Sequence, residues 1–132
     1  MACKAAREWL AVAEIDLKAA RNCLHGPEPT PPAAAYHCQQ AAEKLIKATL
    51  VAERINPPRS HDIGGLADLL PPNHPFRPAF SGLERLTVYA IAYRYPAADA
   101  LANPPEPTTA EIDGWVALLE KIKADLRKRV EK

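Results

Sequence analysis

Apolar residues recur three or four apart in several long blocks of this chain, and nowhere do they alternate with polar ones over the length of a strand. Trp9, Ala13, Leu17, Ala20 and Leu24 mark one helix face. Cys38, Ala41, Leu45, Ala48, Ala52 and Ile55 mark a second, and Ile112, Trp115, Leu119, Ile122 and Leu126 a third. Phe80, Leu83, Leu86 (or Thr87), Ala90 and Tyr93 offer a shorter fourth face. Prolines punctuate the pattern, clustering at 27–32, 57–58, 71–78, 96 and 104–107. Proline inside a helix costs about 3 kcal/mol, so helices are expected in the proline-free blocks 1–26, 33–56, 79–95 and 108–132. A brief helix is expected within 59–70, capped by Ser60 or Asp62 and running through Leu70, with Gly64 and Gly65 weakening it. Thr108 or Thr109 is placed to cap the last helix. The prediction is all-α: an up-down helical bundle of four main helices plus one short helix, formed by a single domain over residues 1–132.

Composition narrows the function. Among 132 residues, Lys and Arg number 17 and Asp and Glu 16. A net charge of +1 argues against a strongly basic nucleic-acid coat and against an acidic tail. Cys3, Cys23 and Cys38 form no C-x-x-C pair, which points to reduced thiols and a cytoplasmic location. The charged N-terminus lacks the apolar core of a signal peptide, and no apolar run is long enough for a bilayer. The four histidines show no metal-ligand spacing, and no nucleophile elbow or glycine-rich phosphate loop is present, so no metal and no cofactor is expected.

Three polar groups carry candidate chemistry. Gln40, Glu43, Lys44, Lys47 and Arg54 share helical spacing beside the second apolar stripe. That is either a solvated surface or an anion-binding face, with Lys44 and Lys47 meeting phosphate and Arg54 forking onto it. His61-Asp62 follows a proline break, where the Asp either orients the imidazole or caps a helix. Tyr93-Arg94-Tyr95-Pro96 closes the fourth block, and its arginine between tyrosines suits a stacked base and its phosphate, or the packed end of a bundle.

Taken together these segments resemble the HEPN (higher eukaryote and prokaryote nucleotide-binding) domains, from about Trp9 to Leu126. Trp9, Ala13, Asp16-Leu17 and Ala20 match the family's first helix. Tyr36, Gln39-Gln40-Ala41-Ala42-Glu43-Lys44 and Lys47-Ala48 match its second. His61-Asp62 with Leu66 and Leu69-Leu70, and then Arg94-Tyr95-Pro96, match two later segments. The resemblance implies a homodimeric bundle that binds a nucleotide or nucleic acid, and the polar face and the Arg94-Tyr95-Pro96 end make Gln40, Lys44, Lys47, Arg94 and Tyr95 the candidate phosphate-holding set. It also implies a minimal nucleotidyltransferase as partner, in a toxin–antitoxin-type system.

Many HEPN proteins are metal-independent ribonucleases that carry an Arg followed, after roughly four to six residues, by a His. The His deprotonates the ribose 2′-OH and the Arg stabilises the phosphorane. Here no His follows Arg94 in range, and Arg21 and His25 are one residue too close. Arg54 and His61 have six residues between them, interrupted by Pro57-Pro58, and are the candidate catalytic pair. A binding module, a ribonuclease and a ligand-free interaction bundle therefore remain as three functional readings.

Overall fold

The computed structural model describes residues 3–92 and 104–131, and among them there are helices and no strands. Helix α1 spans Cys3–His25, α2 Pro31–Ala52, α3 Ile63–Ala67 and α4 Arg77–Ser81. A 3-10 helix follows at Glu84–Ala90, and α5 spans Thr109–Val130. α1 and α2 make the most extensive contact, and α5 packs against both. Cross-pairs set the directions. Trp9 meets Lys47 and Asp16 meets Lys44, so α1 and α2 are antiparallel. Glu14 pairs with Lys123 and His25 with Asp113, so α5 is antiparallel to α1 as well.

The expected stripes form the core. Ala13, Leu17, Ala20 and Leu24 are buried from α1, Cys38, Ala41, Leu45 and Ala48 from α2, and Ile112, Leu119, Ile122 and Leu126 from α5. Burial pushes the Cys38 thiol up to about 12, so it acts as a small apolar side chain rather than a nucleophile. Thr108 caps α5 in a capping box: its side chain accepts from the Glu111 N–H, while Glu111 accepts from the Thr108 N–H.

Four boundaries differ from the sequence expectation, each for a local reason. α2 starts at Pro31, inside the proline cluster, because the first helical N–H groups have no intrahelical acceptor and proline loses nothing there. α2 ends at Ala52, so Arg54 and Ile55 are off the helix. The Ile55 N–H reaches back to Leu50 O and the Arg54 N–H to Val51 O, a Schellman closure with Arg54 at φ 61° in the left-handed position that glycine usually takes. α3 is cut to one turn. Its N-cap is Asp62, but the cap is not made by that side chain: Thr87 Oγ1 accepts the Ile63 N–H instead.

The fourth block divides at Gly82 into a single α-turn and a seven-residue 3-10 helix. Its buried residues Phe80, Leu83, Leu86, Tyr89 and Ala92 recur every three positions, the repeat of a 3-10 helix and not of an α-helix. Tyr93, Arg94, Tyr95 and Pro96 lie outside the described residues.

One buried histidine ties the far ends of α2 and α5 together. The His74 side chain is 2% exposed, and its Nε2 lies 3.9 Å from a Glu53 carboxylate oxygen that also faces Arg129 at 3.8 Å. The Phe76 N–H donates to His74 Nδ1, so the neutral ring carries its hydrogen on Nε2. Burial holds the His74 pKa below the usual imidazole range; Glu53 pulls it up and Arg129 pushes it down. The unfolded chain therefore takes up this proton at about pH 6.5, where the folded chain does not. His74 then supports the fold fully above that pH, and its contribution falls away as the pH drops toward the lowered native value. Melting temperature should decline as the pH falls below about 6.5, and His74→Gln should flatten that decline. Equal slopes for the two proteins in pH-dependent thermal denaturation would contradict this assignment.

Candidate functional site

The polar face expected on α2 exists, but it is turned inward. Glu43 projects between α2 and the segment that follows Pro57-Pro58, and only 6% of its side chain is exposed. Oε1 accepts from His61 Nδ1 at 2.7 Å and from Gln39 Nε2 at 3.2 Å, and Oε2 accepts from Lys47 Nζ at 3.0 Å. Gln39 also donates to the His61 carbonyl, and Gln40 donates to Gln39 Oε1. Burial alone would raise the Glu43 pKa. The hydrogen bonds from His61, Lys47 and Gln39, together with the Lys47 charge, outweigh that and hold it below the usual carboxylate range. Lys47 is covered on its other side by the Trp9 ring, 5.6 Å from Nζ.

A second group of the same composition lies one helix over. Asp16 of α1 accepts from His37 Nδ1 at 3.0 Å and from Lys44 Nζ at 2.6 Å. Tyr36 packs edge-on against the His37 ring. Two carboxylates thus hold one lysine and one histidine each. In angle around α2, His37 and Lys44 lie on one side of Gln40, and Glu43 and Gln39 on the other.

This arrangement changes what each candidate residue can do. Lys44 and Lys47 are on one face with Gln40, as expected, yet both charges are already matched by carboxylates of the chain. His61 is the accessible member, with 69% of its side chain exposed. The ionised Glu43 can only accept, so Nδ1 is the donor and Nε2 is the nitrogen presented to solvent. Glu43, eighteen residues away, orients this ring; the adjacent Asp62 does not. The Asp62 N–H instead donates to Ser60 Oγ.

No hydrogen bond or ring contact joins Arg54 and His61 among the described residues. His61 sits beside Glu43, which is nine residues before the end of α2 and so about 14 Å from that end along the helix axis. Arg54 is past the end, exposed, and without an ion pair among the described residues. Arg94 and Tyr95 lie outside the described residues. Among the described residues no three His, Cys, Asp or Glu side chains gather as a metal site, and no helix is long and apolar enough to cross a membrane.

Asp16, His37 and Gln39 complete the network, and no role in a site was assigned to them from the sequence. A signal was present, since His37, Gln40, Lys44 and Lys47 follow at steps of three, four and three, the repeat of one helix face. Nothing local says that Asp16 lies opposite them.

The HEPN domain family model matches residues 6–128, nearly the whole chain, and the chain belongs to that family. Searches of curated proteins and of solved structures returned no match.

Glu43→Gln should be strongly destabilising, because it leaves the Lys47 ammonium buried without its partner. Breaking a buried pair typically costs about 3–5 kcal/mol. Replacing both, as Glu43→Leu with Lys47→Met, should recover most of that loss. Urea denaturation of the three proteins checks this, and a mild effect of Glu43→Gln alone would place Glu43 in a solvated setting instead.

Proposed function

We propose that this HEPN-domain protein is a nucleotide- or RNA-binding module. In this reading it works as a homodimer and partners a minimal nucleotidyltransferase in a toxin–antitoxin-type system. The observation that carries the ligand part is the His61 ring, exposed on one edge and fixed on the other by a buried carboxylate. A ring held in this way offers Nε2 to a ribose hydroxyl as an acceptor or, once protonated, to a phosphate as a donor. Gln40, half-buried on α2, is linked to His61 through Gln39, to which its amide donates. Lys44 and Lys47 contribute positive potential but are held by their carboxylates, which suits selective contact with a few phosphate oxygens better than broad attraction to a polyanion. The exposed Val12 and Ile15 on the outer side of α1 support the dimeric part, as apolar surface that a second subunit would cover.

The same dyad favours a second reading, a metal-independent ribonuclease with His61 as general base. A buried carboxylate behind an imidazole fixes the tautomer that general-base work needs. Arg54, past the end of α2, makes no contact with His61 among the described residues.

One experiment addresses both. Labelled structured RNA is incubated with metal-free protein and with His61→Ala, reading binding by anisotropy and integrity on a gel. The binding reading predicts saturable binding weakened at least about tenfold in His61→Ala, since a charged or positioned hydrogen bond is worth about 1.5–3 kcal/mol. Cleavage that disappears in the variant would establish the second reading. RNA left both unbound and intact, with nucleotides also giving no heat on titration, would overturn both.

A further inference from the structure

Half of the described arginines have carboxylate partners. Arg21 pairs with Glu120, Arg77 with Asp68, Arg85 with Glu111, and Arg129 faces Glu53. Four described arginines have none among the described residues. Arg54 and Arg59 belong to the exposed segment after α2. The other two, Arg7 and Arg127, come from different helices and line one cavity of about 200 Å³, where the start of α1 passes the end of α5. Leu10 and Ala11 supply its apolar wall, and Glu131 is the acid in its lining. Burial, and then the charge of Arg127, lower the pKa of the Lys123 ammonium one turn away.

We propose that this cavity is a binding site for a phosphate monoester, held between the guanidinium groups of Arg7 and Arg127. The chemistry selects the ligand. Each guanidinium presents a planar fork of donors, and a single carboxylate is saturated by one fork. A terminal phosphate carries about −1.5 to −2 charge and three acceptor oxygens, enough for two forks arriving from two helices. Glu131 repels any anion that enters, so only a group able to engage both arginines gains overall. The volume is below the roughly 300–1,000 Å³ of sites that enclose a whole drug-sized ligand. It therefore takes the phosphate and the first few atoms attached to it, which lie against Leu10 and Ala11.

This site is separate from the one at His61. Arg7 and Asp16 are nine residues apart on α1, which at about 100° per residue places them on opposite sides of that helix. A phosphate at Arg7 and Arg127 therefore leaves the α2 network untouched, and the two sites can be tested independently.

Thermal shift and calorimetric titration test the proposal with three probes: inorganic phosphate, a nucleoside 5′-monophosphate, and the nucleoside alone. They are applied to the wild type, to Arg7→Gln/Arg127→Gln and to His61→Ala. The expected result is that both phosphate probes raise the melting temperature of the wild type and of His61→Ala, while the nucleoside does not. Affinity should fall at least about tenfold in the double variant, the loss expected when charge-assisted hydrogen bonds are removed. Inorganic phosphate binding as tightly as the monophosphate identifies free phosphate as the source; tighter monophosphate binding identifies an organic ester. Both arginines are exposed, so the double variant should stay folded, which circular dichroism verifies. Arg7→Lys/Arg127→Lys keeps the charges but removes the forks, and should bind more weakly than the wild type. Wild type that ignores both phosphate probes, or a double variant that responds like the wild type, overturns the proposal. Binding lost in His61→Ala but kept in the double variant would move the phosphate to the α2 site and overturn it equally.

Discussion

A buried carboxylate on α2 constrains much of what surrounds it. Glu43 is removed from water, and an ionised carboxylate in that position is tolerated only if its oxygens are answered by donors. Lys47 and Gln39 answer from the same helix, and His61 answers from a distant segment. The third bond shapes the fold, because it holds residues 55–62 back along α2 and sets where α3 begins. α3 in turn starts on Thr87, which brings the 3-10 helix against α2 and α3. One charge thus links the polar face of α2 to the placement of the short elements, and the exposed ring of His61 is a consequence of the same contact.

The long helices were readable because their periodicity is strong and their ends are punctuated. Most residues of the stripes on α1, α2 and α5 are buried, and of the two threonines placed to cap α5 it is Thr108 that does so. The short elements were harder to read, for physical reasons that can be named. Phe80, Leu83, Leu86 and Tyr89 have a strict repeat of three, which over so short a stretch is easily taken as an α-helical three-and-four pattern. The end of α2 was hidden because an arginine occupies the left-handed position where a glycine would have signalled the stop. Pro31 and Pro32 looked like a barrier and instead form the first turn of α2.

The site was legible in its parts and not in its pairings. Gln40, Glu43, Lys44 and Lys47 stood out as a polar face, and His61 as an isolated imidazole. Helix spacing made the Glu43–Lys47 pair visible, since an i,i+4 contact needs no knowledge of tertiary structure. Asp16 with Lys44, and Glu43 with His61, are contacts between segments 28 and 18 residues apart, and only the packing of the bundle creates them. Those pairings alter the chemistry, because they turn an apparent anion-binding face into two neutralised groups with a histidine at the edge of each.

The most direct test of the account is the tautomer of His61. A carboxylate that accepts from Nδ1 must leave the neutral ring with its hydrogen on that nitrogen and a bare Nε2 facing solvent. Nitrogen NMR of uniformly labelled protein, with His61 assigned by its loss in His61→Ala, reads the tautomer directly at a pH where the ring is neutral. His61 is expected in the Nδ1–H form, reverting to the Nε2–H form preferred by free imidazole side chains when Glu43 is replaced in the Glu43→Leu/Lys47→Met pair. A wild-type His61 already in the Nε2–H form would show that Glu43 does not hold it, and the link between the buried charge and the exposed ring would fail.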